Sequence, residues 1–532
     1  MTQSICGTSY QPVVFQKKWI IAALVGLMGV GSATAQAQEG EDTLRIAVPE
    51  HESPDLSAEW AYANTRAIVL GNIFERLVTR NPDTNELAPM LAADWEQIDD
   101  TTWHFQLREG VRFHDGSEFN AETAAESLNY VTREGGRLNE FGVKGFSFKA
   151  IGEHLLEVTT DRPNPLVLER LYQVQIPSAQ QLEENPDAYK SQPVGTGPYV
   201  FKSYSRGDQW EIERYDGWWG EDHPEAVFGI PEWENVIYDV RPELSTRVTA
   251  LQAGEVDFAF NVGIEGCSTV GEEQCITWTG NEIVDIRYDA PSSIMGDPRV
   301  RRALDLAFNR EEIATQLYGK DVETTGQVLS QGATGYNPNI EPWPYDPEKA
   351  RSLIEEARAD GVTFDAPIRL VSQQGRFERN GEVLQAIQYA WQQNLGLDVT
   401  ISILNPDQYD EVYRRQDAPM HESVSPDRNV VIVTTGSDTD LFDLAGYGGS
   451  RYLCGGDLSV YCDEDFDQRW AEAIKLTGEE RGQALAELNA EQVERNVWSG
   501  ILRFPTYHAV AETVEFRRRP DGWVMANDFT RQ

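Results

Sequence analysis

The chain has 532 residues, 40% of them apolar and 10% aromatic. That is too long for one hydrophobic core and too apolar for a disordered polymer, so two or more packed domains are expected. Asp and Glu outnumber Lys and Arg 87 to 45, a formal net charge of −42 at pH 7 spread along the whole chain, which argues against nucleic acid and anionic membrane surfaces as partners and reads as a solvated, self-repelling exterior.

The first patterned segment is Lys17-Lys18, an apolar run from Trp19 to Gly31, and small residues through Ala33-Thr34-Ala35 or Ala35-Gln36-Ala37. Charged, apolar and small-residue regions in that order read as an export signal over 1–37, cleaved near Ala35 or Ala37, with a retained signal anchor as the alternative. No later run reaches the ~18 apolar residues that a membrane span needs. No Cys stands at the cleavage point, so lipid attachment is not expected.

Strands are expected at Leu44–Val48 and at Thr102–Leu107, where Trp103, Phe105 and Leu107 share one face. Asn120 can cap a helix with Glu122 in its first turn and with Leu128 and Val131 continuing its apolar stripe. Further strands are expected at Leu155–Thr159, Trp210–Arg214 and Val236–Val240, separated by turn-rich segments such as Gly195-Thr196-Gly197-Pro198. Beyond about Asp285, helices and strands alternate. Asp297-Pro298 and Asp346-Pro347 are helix starts, and Asn309 with Glu312 reads as a capping box closed by Gly319. Ile368–Ser372, a helix around Glu382–Gln393, and Val399–Ile403 form a β-α-β unit, with Val430–Thr434 as another buried strand.

Without Cys6, four cysteines remain as two equally spaced pairs, Cys267 with Cys275 and Cys454 with Cys462. In an oxidising compartment two local disulfides are the economical reading; a metal site is the alternative, although neither pair has Cys-x-x-Cys spacing and the seven histidines are dispersed. His104 and His114 invite a metal hypothesis, but one sits in an alternating strand and the other in a His-Asp-Gly turn. Gly195-Thr196-Gly197 begins like a dinucleotide fingerprint, yet Pro198 and Val200 break it, leaving a tight turn. No paired-His metalloprotease motif, phosphate-binding loop or Gly-x-Ser-x-Gly elbow occurs. Paired carboxylates such as Asp438 and Asp440 arise by chance in so acidic a chain.

Several segments in order resemble the family 5 extracellular solute-binding proteins, the dipeptide, oligopeptide and nickel-binding components of bacterial ABC importers. They are Asn72–Val78, Leu91–Glu96, Trp103–Gly116, Val194–Tyr199, Trp218-Trp219-Gly220, Ser245–Arg247 through Asp257, Asp297–Leu304 and Tyr345–Ala350. The resemblance implies an α/β, two-lobe periplasmic-binding-protein-like fold of type II, the large class with an extra inserted subdomain, with mixed sheets and flanking helices. Carried over, lobe I spans about 38–80, 195–284 and 503–532, the inserted subdomain about 81–194, and lobe II about 285–502. It further implies a periplasmic monomer that holds a small peptide or peptide-like solute between hinged lobes and delivers it to the ABC transporter permease subunits of the inner membrane, without cofactor, metal or covalent chemistry. Rival readings keep the transport role for an opine, glycoside, polyamine conjugate or metal chelate, make the chain a periplasmic peptide hydrolase, or give it a signalling or folding-helper role.

In peptide-binding relatives a lobe II Arg pairs with the peptide carboxylate, and Gly375-Arg376-Phe377 resembles that place. Arg376 suits a carboxylate because its planar fork donates two parallel hydrogen bonds; the plainer alternative is a surface Arg paired with Glu378 or Glu382, and Arg379 is a weaker substitute. Relatives hold the free α-ammonium with an Asp upstream of a motif that here resembles Asp438-Thr439-Asp440-Leu441-Phe442. That upstream position falls at Thr435-Gly436, and a neutral Thr departs from the pattern. Three readings follow: Asp438 replaces the missing acid, the ligand lacks that ammonium group, or Asp438 merely caps a helix starting near Leu441. On lobe I, Glu52, Trp60, Tyr62 and Asn64 follow the opening strand, where relatives approach the ligand, with ordinary packing as the alternative. Trp218-Trp219 reads as core.

Overall fold

The computed structural model describes residues 42–532 except 50–54, 59–67, 135, 137, 139–142, 224–228, 291–292, 320–321, 414–428, 438–440, 457 and 460. The export signal, Glu52, Trp60, Tyr62, Asn64 and Asp438 therefore lie outside the described residues. Among those described, one sheet has ten strands: Thr43–Val48 (β1), Tyr199–Ser205 (β2), Gln209–Arg214 (β3), Asn235–Val240 (β4), Phe258–Ala259 (β5), Cys275–Tyr288 (β6), Ile368–Gln373 (β7), Val399–Leu404 (β8), Val430–Ser437 (β9) and Trp498–Val510 (β10). Side by side they run β2-β3-β4-β1-β5-β10-β6-β9-β7-β8. The long strands β6 and β10 join the two halves. Cys275–Thr279 pair with Pro505–Ala509 on one side of a register break, and Ile283–Arg287 pair with Trp498–Arg503 on the other.

Local chemistry sets the helices beyond β6. Asp297 caps Pro298–Leu306 (α1) through the Arg299 amide, and Asn309 caps Arg310–Tyr318 (α2) through the Glu312 amide, with Gly319 at φ +95° closing it. Asp346 caps Pro347–Ala359 (α3) through the Lys349 amide. β7, helix Asn380–Leu395 (α4) and β8 form the expected crossover, with β7 and β8 parallel in register Ile368 to Val399. One core packs α1 to α4 on the sheet; Trp391 is fully buried there and donates its indole N–H to the Leu304 carbonyl at 2.8 Å. Pro406–Tyr413 (α5) covers the other face, where Tyr409 packs with Val371, Val430 and Ile432. Leu444–Arg451 (α6) and Gly478–Arg495 (α7) enclose an aromatic core with Tyr447, Tyr452, Trp470 and Trp498.

A separate antiparallel sheet is formed by Ala92–Asp99, Thr102–Leu107, Leu155–Thr160 and Phe146–Ala150, covered by a helix at Ala121–Val131 that Asn120 caps. Its apolar side shares a core with Leu77, Trp218 and Trp219. The disulfides join Cys267 to Cys275 and Cys454 to Cys462, with Cα atoms 5.0 and 4.4 Å apart.

Three of the quoted segments converge on one buried acid. Glu75 accepts hydrogen bonds from the Trp218 and Trp219 indoles at 3.0 and 2.7 Å and from the Thr196 hydroxyl at 2.8 Å. Beside it, Gly195 and Gly197 run against the Asn72-Ile73 backbone, where the Gly197 amide donates to the Ile73 carbonyl at 2.9 Å. Neither glycine has a positive φ, so the expected tight turn is instead a close approach of two chain segments. A Cβ at Gly197 would collide with the Asn72 and Ile73 carbonyls. Gly197→Ala is therefore expected to destabilise the fold by about 2 kcal/mol or more in urea unfolding, since backbone atoms have to move; an unchanged midpoint would show that the approach is relaxed.

Candidate functional site

Successive strand residues point to opposite faces. Along β6, Val284, Ile286 and Tyr288 enter the helix-covered core. Asp285 and Arg287 are left on the other face of the sheet, opposite Thr434 and Ile432 of β9, and both are buried. β7 ends beside them at Gln373, after which Gly375, at φ +68°, turns the chain and presents Arg376.

Arg376 donates from Nη2 to the Thr435 carbonyl at 3.0 Å and lies 3.9 Å from Glu282 Oε1. The Thr435 hydroxyl donates to the same Glu282 oxygen at 2.6 Å. Two residues expected at the site thus meet, around an acid that sequence analysis passed over. The Arg376 side chain keeps 34% of its surface exposed and Glu282 keeps 40%, so both stay accessible to a solute. The expected alternative partners, Glu378 and Glu382, are not what Arg376 binds: its ion pair is with Glu282. Arg379 is committed elsewhere, to the Leu317 carbonyl at 2.9 Å and to Glu265 at 3.1 Å. Gly436 lies in β9 opposite Ile283.

The same pocket is lined by Arg287, Arg451, Tyr409 and Trp498 as well as Arg376 and Thr435. Arg287 donates to the Tyr409 hydroxyl at 2.8 Å and stands 5.1 Å from the centre of the Trp498 ring. Arg451 lies over Tyr447 at 3.8 Å and 5.5 Å from the Trp498 ring. Beneath them Asp285 accepts from the Tyr447 hydroxyl at 3.4 Å. Burial pushes its carboxyl up to about 6, against the opposing pull of Arg287, Arg451 and Arg376.

The helix expected near Leu441 begins instead at Leu444, and its cap is Asp443, whose carboxylate accepts from the Ala445 amide at 2.8 Å. The reason lies in the backbone: Phe442 stands at φ +54°, outside helical geometry, so the helix starts only after Asp443, which Arg481 also holds at 2.6 and 2.9 Å. The candidate metal histidines are used as polar struts. His114 accepts from the Gly195 amide at Nδ1 and donates from Nε2 to the Gly197 carbonyl at 2.9 Å, while burial drives its pKa down to about 4. His104 faces Glu157 at 3.4 Å. Among the described residues no cluster of three or more His, Cys, Asp or Glu side chains is placed to hold a metal ion.

Glu282, Arg287 and Arg451 were missed by sequence reasoning. A signal existed for Arg287: Asp285 and Arg287 alternate with apolar residues in a strand buried on both faces, and buried charges are kept only with a partner or a purpose. Arg451 and Glu282 come from distant segments, so only the fold brings them in.

The profile of the bacterial extracellular solute-binding proteins, family 5 (middle region), matches residues 86–424. The glutathione-binding protein GsiB of Shigella flexneri serotype 5b is 28% identical over 281 residues, 51% of this chain and 53% of that protein; the chain matches about half the length of that relative. The solved ABC transporter substrate-binding protein CtaP from Listeria monocytogenes superposes with a TM-score of 0.78 at 16% identity, over 92% of this chain and 99% of that one. The periplasmic binding protein DppA of Helicobacter pylori, solved with the peptide STSA, gives 0.69 at 18% identity, over 92% and 98%. These likenesses establish the periplasmic-binding-protein fold, and the profile match establishes the lineage: the chain belongs to the bacterial extracellular solute-binding proteins, family 5.

Proposed function

We propose that this protein captures a small peptide or peptide-like solute in the periplasm and passes it to the permease of an ABC importer, without covalent chemistry. The carrying observation is the pocket at Arg376 and Thr435, which offers a carboxylate-binding guanidinium beside an accessible acid, Glu282. Glu282 supplies the negative charge that the neutral Thr435 cannot, so a free α-ammonium has a charge-assisted partner after all. The names of the relatives, one for glutathione binding and one solved with a peptide, point the same way.

The two lobes are about 38–80 with 195–284 and 503–532, and 285–502, with 81–194 inserted into the first. The register break in the β6/β10 pair between Thr279 and Ile283 supports a hinge at their junction. Arg80, which donates to the Leu441 carbonyl at 3.0 Å, and the Arg379–Glu265 pair are the contacts a closed arrangement would use across it. Closure strengthens correctly paired polar groups by removing water and penalises unpaired ones. The chain is exported under the signal at 1–37 and acts as a monomer, and Glu52, Trp60, Tyr62, Asn64 and Asp438 join Arg376, Thr435 and Gly436 as the residues proposed to contact the solute.

Native mass spectrometry of protein purified gently from periplasm tests this. The expected result is an intact short peptide or peptide-like compound, one per chain; a hydrolysed product accumulating from added peptide would overturn the binding-only reading. Arg376→Ala is expected to weaken binding of that solute by about 2 kcal/mol or more, because a buried carboxylate loses its partner. Unchanged affinity by calorimetry would return Arg376 to a surface role.

A further inference from the structure

We infer that the pocket takes a second carboxylate, so that the solute class is a peptide-like compound carrying at least two acidic groups. This rests on the solute-binding reading above and deepens it. Three guanidiniums, Arg287, Arg376 and Arg451, line one pocket in a chain with nearly twice as many acids as bases. Arg376 is held by Glu282 and the Thr435 carbonyl. Arg287 and Arg451 have no ion pair within 4.0 Å among the described residues. Their hydrogen bonds go to neutral groups: the Tyr409 hydroxyl for Arg287, and the Tyr447 carbonyl and Ser450 hydroxyl for Arg451.

Both arginines leave a buried Nε–H without a partner, and Arg287 is only 2% exposed. Buried donors are normally satisfied, so two unpartnered Nε–H donors in one pocket leave room for an acceptor, which Asp285, whose own Oδ1 is without a partner, does not fill. Asp285 supplies one negative charge beneath them and makes no ion pair within 4.0 Å with either. The Trp498 ring lies beside both guanidiniums and holds them apart from water without neutralising them. The enclosed space is small, about 30 Å³, so only an end group or acidic side chain enters it, toward Arg287 and Arg451, while the first carboxylate meets Arg376, a third exposed, from the solvent side. The planar fork of Arg matches a carboxylate with two parallel hydrogen bonds, which gives this corner its selectivity for acid over amide.

The test is calorimetric titration of the exported chain with tripeptides carrying Glu at each position in turn, and with their Gln isosteres. At least one Glu peptide is expected to bind tenfold or more tighter than its Gln partner. Arg451→Gln and Arg287→Gln should each cut that preference to under threefold, whereas Arg376→Ala weakens Glu and Gln peptides alike. Arg287→Gln is checked for folding by its thermal melt; Arg451→Gln, half-buried, decides the matter if that variant fails. Equal binding of every Glu and Gln pair, or a preference that survives in Arg451→Gln, would overturn the second carboxylate while leaving peptide capture standing. Failure of all tripeptides would instead overturn the peptide reading. Saturable binding of glutarate that is lost in Arg451→Gln would then still support the acidic pocket, and no glutarate binding would overturn it too.

Discussion

Asp443→Ala is expected to cost about 3–5 kcal/mol of folding stability, the scale for removing one partner of a buried ion pair. Asp443 is 0% exposed at its side chain and Arg481 is 8% exposed, with two hydrogen bonds between them at 2.6 and 2.9 Å. Removing the carboxylate leaves the buried Arg481 guanidinium, in the first turn of α7, without its ion-pair partner and also removes the α6 cap at Ala445. Asp443→Asn keeps the capping oxygen and loses the charge, so its cost falls between. The double variant Asp443→Leu with Arg481→Met should recover part of the loss, because no unpaired charge then remains buried. Urea unfolding of the four proteins measures this; a loss below about 1 kcal/mol for Asp443→Ala would mean that water reaches Arg481. The neighbouring Phe442 in turn lies 4.5 Å from the Arg80 guanidinium, which donates to the Leu441 carbonyl.

The second large effect is a pH dependence at Glu75. Burial raises its carboxyl from the ordinary value near 4.5 to about 7, outweighing the hydrogen bonds from Trp219, Thr196 and Trp218 and the charge of Arg76. The fold therefore favours the protonated acid. That stability is fully present below pH 4.5, is lost as pH rises from 4.5 through 7, and is flat above. At about 1.4 kcal/mol per pKa unit the loss is on the order of 3 kcal/mol. Glu75→Gln removes the titration, so the stability of wild type relative to that variant should fall by about 2–3 kcal/mol between pH 5 and 8. Taking the difference cancels the other buried acids, such as Glu169, which burial likewise raises to about 7. Parallel pH profiles for the two proteins would show that Glu75 is ionised throughout.

The helix and strand order was written in local chemistry. Asp297, Asn309 and Asp346 cap the helices they precede, and the β7-α4-β8 unit follows from period and turn residues. What was not legible depends on distance in sequence. The α6 start at Leu444 follows a left-handed Phe442, and its cap is tied to Arg481, 38 residues on, while the Gly195 and Gly197 requirement comes from the Asn72-Ile73 backbone. At the candidate site, Arg376 stood out in the sequence because the family pattern marks its turn. Glu282 was not, because its place beside Thr435 follows from antiparallel pairing of β6 with β9, which no local pattern encodes. Arg451 joins from a third segment through the packing of Tyr447 on Trp498.

The central claim is that a solute bound beside Arg376 draws two lobes together about the β6/β10 junction. Small-angle X-ray scattering of the protein, alone and saturated with the solute recovered with it, tests it most directly. A smaller radius of gyration in the bound form is the expected result; tight, saturating binding with unchanged dimensions would contradict closure about that hinge.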